Sequence, residues 1–177
     1  VPNTVGMERA IDADLDKVNA LVTVSESYSR KNQNMTVDEI LNGIEGIVEM
    51  AKGTDIEVEA GIGTSFYCPY EGRIPMDDTL NVVDHVVDAG VDEVTLATTM
   101  GLANPSEIDE MFTEVFTRYP DLDVGLHLHD TNGMSLANTL AAMACGVDRF
   151  DTSHCGLGGG VVLPDGLAGV GNTPTED

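Results

Sequence analysis

Short apolar runs and amphipathic segments alternate along this chain with little between them, and that alternation constrains the fold more than any other feature. Val1–Gly6 reads as the tail of a strand plus a turn, and Met7–Asp16 as a short helix. Val18–Val24 is the next strand, followed by a polar loop, SESYSRKNQN. The run Thr36-Val-Asp-Glu39 is a capping box. It opens a helix with Ile40, Ile44, Ile47, Val48 and Ala51 on one face, ended by Gly53. Strands are expected at Ile56–Gly61, Glu93–Ala97, Val124–His129 and Arg149–Ser153, and helices at Met76–Ala89, Pro105–Tyr119 and Ser135–Cys145. In the last helix Leu136, Leu140 and Met143 form the apolar seam. Such alternation predicts an α/β protein with a parallel sheet. With the opening tail included it has about six strands, which fits an open Rossmann-type sheet or part of an eight-stranded barrel. In both, functional groups collect at the C-terminal ends of the strands.

The length of 177 residues suits one domain, spanning 1–177. Its 31 acidic and 8 basic residues leave a net charge of −23, which would repel nucleic-acid phosphates. The acids are spread along the helices, and Lys17, Lys31 and Lys52 are the only lysines. That balance suggests a halophilic protein from a salt-accumulating cytoplasm. Cys68, Cys145 and Cys155 form no CxxC pair, as expected of a reduced, cytoplasmic compartment. No apolar run is long enough for a membrane span, and no signal peptide is evident. Either end is compatible with truncation.

His127 and His129 carry the strongest chemical signal. Two residues apart on a strand, their imidazoles share one face, as a common divalent metal requires. Asp130 follows directly. The alternative is a pair of hydrogen-bonded core histidines. The run Gly156-Leu-Gly-Gly-Gly160 follows the last strand, and Gly156, Gly158 and Gly159 suit either a lid over a ligand or a flexible turn. Asn172 could lend a carbonyl oxygen to a metal. Cys155 is either a nucleophile or proton donor, or incidental. Arg30 and Lys31 could meet the phosphates of an anionic thioester or merely balance nearby acids. Glu71 in CPYEGR reads as a surface carboxylate.

The segments SESYSRKNQNMTVDE, CPYEGRI, GLHLHDTNGMSLANTLAAMACGVD, SHCGLGG and GNTPTED together resemble the 3-hydroxy-3-methylglutaryl-CoA lyases. These belong to the metal-dependent TIM-barrel lyases and Claisen-type synthases, the DRE-TIM metallolyases. HDTNG followed by LANTLAA is closer to the lyases than to the synthases, which carry HNDxG there. The resemblance implies a (β/α)8 barrel whose divalent cation, Mg or Mn, is held by His127, His129 and Asn172. It implies a further Asp and an Arg on a first strand that would lie upstream of Val1, so that this chain is a partial barrel lacking its first two strands. The implied reaction cleaves 3-hydroxy-3-methylglutaryl-CoA, or a similar 3-hydroxyacyl-CoA, to a 3-oxo acid and acetyl-CoA. The expected partner is therefore an acyl-CoA, with no nucleic acid or membrane, and a homodimer is compatible.

Two departures stand out. The family's acid/base Cys follows GLGG, where this chain has Gly160, and Thr98 stands where the family carries an Asp near the metal. Cys155 could substitute for the missing Cys only if its loop refolded. A Claisen-type acyltransferase, of the isopropylmalate or citramalate synthase kind, and a catalytically inert barrel fragment are the alternatives.

Overall fold

Asn3 caps the first helix: its side-chain oxygen accepts the Gly6 N–H at 3.0 Å and opens α1 (Thr4–Asp12). The structure, a computed structural model, describes residues 1–165 and the backbone of 174–175. A strand tail over Val1–Gly6 is thus corrected to a helix start, because a capping Asn satisfies amides that an unpaired strand end would leave open. The chain continues through β1 (Lys17–Thr23), α2 (Glu26–Asn32), α3 (Val37–Ala51), β2 (Glu57–Gly63), β3 (Tyr67–Cys68), β4 (Gly72–Arg73) and α4 (Met76–Ala89). It then forms β5 (Glu93–Ala97), α5 (Pro105–Arg118), β6 (Asp123–His127), α6 (Ser135–Cys145), β7 (Arg149–Asp151), β8 (Ser153–His154) and β9 (Pro174–Thr175).

One parallel sheet, in the order β1-β2-β5-β6-β7, organises these elements, while β3–β4 and β8–β9 are small separate pairs. Among the described residues the sheet therefore has five strands rather than six. The polar segment expected as a loop is helix α2, with Ser25 as its cap, accepting the Tyr28 N–H at 3.0 Å. It is too short and too polar to show apolar periodicity. The capping box holds at α3, where Thr36 and Glu39 exchange side-chain-to-backbone bonds of 3.0 and 2.8 Å.

Alternation along the strands sorts the two faces of the sheet. Val18, Ala20, Val22, Val58, Ala60, Ile62, Val94, Leu96, Val124 and Leu126 face the helices and are buried. Against them pack Ile44 and Ile47 of α3, Leu80 and Val83 of α4, and Ile108 and Phe112 of α5. Each such side chain contributes about 1.5–3 kcal/mol by leaving water.

The opposite face carries Lys17 on β1, Glu59 on β2, Glu93 on β5, Asp123 on β6 and Arg149 on β7, one residue from each strand. Glu93 bonds both Lys17 (2.6 Å) and Arg149, while Arg149 also reaches Asp123 (2.8 Å) and Lys17 reaches Glu59 (3.1 Å). The edge strands β1 and β7 are each two strands, about 9–10 Å, from β5. Side chains from both edges meeting on one central carboxylate fit a sheet curled toward this face, as in a barrel wall.

Helix α6 departs from expectation. Leu136, Leu140 and Met143 are 72, 61 and 56% exposed, whereas Ser135, Asn138 and Ala142 are buried. Asn138 donates to the Ala103 carbonyl at 2.9 Å, just ahead of α5. The small and polar face of α6 is thus its packing face. No helix among the described residues is long and apolar enough to cross a membrane.

Candidate metal centre

Strand β6 ends at His127, and the chain runs on beside the end of β5 for two more residues. Thr98 N–H donates to the His127 carbonyl (2.9 Å), and the His129 N–H donates to Thr98 Oγ1 (3.0 Å). Thr98 is buried and holds the backbone of His129 in line. His127 and His129 consequently turn to the same side, with ring centroids 5.0 Å apart and planes at 68°.

The other ring nitrogens set their tautomers. His129 Nδ1 donates to the Thr99 carbonyl, which can only accept. His127 Nδ1 lies 3.1 Å from Asp151 Oδ2, a carboxylate acceptor. Each Nε2 therefore turns a lone pair inward, and the two are 3.1 Å apart. At bond lengths of about 2.0–2.1 Å, two imidazoles side by side on one ion have their nitrogens at about this separation. The donor set fits part of a divalent-metal site. Among the described residues no group of three or more His, Cys, Asp or Glu converges to complete it. Asn172 lies outside the described residues.

The pair sits on a cavity of about 410 Å³ on the face of the sheet that carries Glu93. Asn19, Thr23 and Thr95 line it from the strands, Tyr28 and Asn32 from α2, and Gly159, Gly160 and Val161 from the glycine loop. Val162 N–H donates to the Tyr28 hydroxyl at 3.4 Å, and Val161 and Val162 pack with Tyr28, Cys68 and Ile74. Burial pushes the Tyr28 phenol up, and the Val162 N–H opposes this. The hydrogen bond from His127 holds the Asp151 carboxyl below the usual carboxylate range.

Other residues singled out in the sequence lie elsewhere. Asp130 does not line the cavity and accepts the Ser135 N–H at 2.9 Å, at the start of α6. Cys155 is exposed at φ 53°, and neither it, Gly156 nor Gly158 is among the cavity-lining residues. Arg30 pairs with Glu26 at 2.8 Å, and both it and Lys31 are exposed on α2, outside the cavity. Glu71 is no plain surface acid. It accepts the Ser27 N–H at 2.8 Å and so ties the CPYEGR turn to the start of α2. Burial pushes its carboxyl up, but the bonds from Ser27 and Ser25 outweigh this and hold it low. Cys68 donates to Ser25 Oγ at 3.0 Å in the same junction.

Asp151 and Tyr28 escape a reading of the sequence. Asp151 had one visible signal: it lies at the end of a short strand following the one with the histidines.

A curled parallel sheet with chemistry-bearing side chains at the C-terminal ends of its strands defines the class as barrel proteins of the TIM type. Residues 2–177 match the HMGL-like family, and the chain belongs to it. Hydroxymethylglutaryl-CoA lyase YngG of Bacillus subtilis is 32% identical over all 177 residues, which cover 58% of that protein. The mitochondrial hydroxymethylglutaryl-CoA lyase of Mus musculus is 34% identical over 99% of this chain and 53% of its own length. Among solved structures, an HMG-CoA lyase from Acinetobacter baumannii in complex with coenzyme A and 3-methylmalate superimposes with a TM-score of 0.88. It is 33% identical, over 98% of this chain and 55% of that one. The Bacillus subtilis HMG-CoA lyase structure gives a TM-score of 0.89 at 31% identity, over 98% and 57%. The chain thus spans just over half the length of these relatives, and its five-stranded sheet is part of a (β/α)8 barrel.

Proposed function

We propose that the histidine pair binds a divalent cation, magnesium or manganese. On this basis the chain carries part of the catalytic site of a carbon–carbon lyase for 3-hydroxy-3-methylglutaryl-CoA or a similar 3-hydroxyacyl-CoA. The observation that carries this is the 3.1 Å approach of two imidazole Nε2 atoms whose Nδ1 atoms are both held by acceptors. His127 and His129 would hold the ion, with Asn172 as a third ligand. Such an ion stabilises the charge that develops on substrate oxygen during cleavage.

This chain's own groups bind and orient. Asn19, Thr23 and Thr95 offer amide and hydroxyl partners along the cavity wall for the oxygens of an acyl group. Arg30 and Lys31 stand on the helix that supplies Tyr28 and Asn32 to the cavity, where the phosphates of a CoA tail outside it would pass. Gly156, Gly158 and Gly159 give the loop positive-φ turns of 70, 108 and 78°, which suit a lid. The acetyl-CoA enolate left by cleavage needs a proton, and Cys155 would deliver it only after the loop moves. The three free cysteines fit a reducing, cytoplasmic setting.

The test is a manganese titration followed by melting, then acetyl-CoA release from 3-hydroxy-3-methylglutaryl-CoA. Ligand at 100 times its Kd should add about 2.7 kcal/mol of stability. Substitution of His127 or His129 by Ala should abolish that gain. No acetyl-CoA release from the full-length protein loaded with manganese would refute the substrate assignment. The inert-fragment alternative is favoured by Gly160 and Thr98 and by the incomplete ligand set among the described residues. It requires no manganese-dependent stabilisation.

A further inference from the structure

Asp151 touches the histidine pair from behind. Strands β6 and β7 run parallel with Gly125 opposite Arg149, Leu126 opposite Phe150 and His127 opposite Asp151. In this register the Asp151 carboxylate lies beside the His127 ring on the same face of the sheet, and Oδ2 meets Nδ1 at 3.1 Å. It is on the side of the ring remote from the His129 Nε2, so it is not placed as a direct ligand of an ion between the rings. Its neighbour Arg149 is drawn to Glu93 and Asp123, which leaves the Asp151 carboxylate to His127.

We propose that Asp151 is the positioning residue of His127: its carboxylate accepts the Nδ1 proton, fixes that tautomer and turns the Nε2 lone pair into the cavity. This rests on the metal reading above for its purpose, but not for its geometry. The two histidines are then set by different means. His129 relies on the Thr99 backbone carbonyl, which no side-chain substitution removes, and His127 relies on one replaceable side chain. A groove of matched lone pairs depends on both, because a ring with its proton on Nε2 cannot ligate through that atom.

Long-range proton–nitrogen correlation spectra of the nitrogen-15-labelled chain, taken without metal at a pH where the imidazoles are neutral, test the tautomer directly. His127 should carry its proton on Nδ1. In Asp151→Ala no side-chain acceptor remains for the Nδ1 proton, so His127 should lose its preference for that tautomer. Manganese affinity should then fall by roughly 10–100-fold. Asp151→Glu keeps the acceptor and should restore the Nδ1 proton, which separates loss of the carboxylate from a general folding defect. An Nε2-protonated His127 in the unmodified chain overturns the proposal, as does an Asp151→Ala variant with unchanged tautomer and manganese affinity. If the tautomer switches as expected but no form of the chain binds manganese, the positioning role stands and the metal reading fails.

Discussion

At Gly101 the backbone has φ 61°, and an added Cβ would lie 2.6 Å from Thr131 N and 2.9 Å from the His129 carbonyl carbon. The glycine lets the loop after β5 lie against the segment that carries His129. Gly53 also has a positive φ, 85°, but nothing lies within 4 Å of its missing Cβ. Alanine at Gly53 should therefore cost only the left-handed conformation, about 1–2 kcal/mol. Alanine at Gly101 should cost clearly more, since the atoms it meets are backbone. Urea denaturation of the two variants checks this, and equal midpoints would show that the loop yields. Neither this contact nor Asp151 can be found along the chain, because both depend on which segments become neighbours. His127 and His129 could be found, because a period of two is a property of one strand.

Among the described elements, every helix but α2 was legible, including α4 and α6, which lack a side-chain cap at their starts and close on Gly90 and Gly146. The Thr36/Glu39 box and Pro105 marked α3 and α5, while α2 is seven residues of mostly polar sequence and depends on Ser25, Glu71 and Cys68 for its start. The α3 box also makes a pH prediction. The Thr36 N–H holds the Glu39 carboxyl below the usual carboxylate range. The stability this adds is complete above the unfolded-state pKa and is lost as pH falls through the lowered folded-state value. Chemical denaturation of the chain and of Glu39→Gln across the acid range should give curves that converge at low pH and separate at neutral pH. A constant offset between them would refute the coupling. For α6 the apolar spacing of Leu136, Leu140 and Met143 was real, but the periodicity could not say which face finds a partner. The described structure packs the Ser135, Asn138 and Ala142 side.

Over the whole molecule, 15 of the 31 acidic residues lie on helices α1 to α5, while Lys17 and Arg149 are committed to Glu93 on the sheet face away from the helices that pack the core. Repulsion between exposed acids is screened as the Debye length falls from about 10 Å at 0.1 M salt to about 3 Å at 1 M. The pairs around Glu93, itself buried, are screened less. Melting temperature should therefore rise from dilute buffer to molar KCl, and equal melting in both would sink the salt-adapted reading. The sequence alone determined the α/β alternation, the histidine pair and the acidic surface, since each is set by spacing or composition within short segments. Only the tertiary structure decided the five-strand count, the outward Leu136 stripe, the Glu93 ion cluster and the place of Asp151 behind His127. Those depend on strand register and sheet curvature, which bring together residues that no local pattern relates.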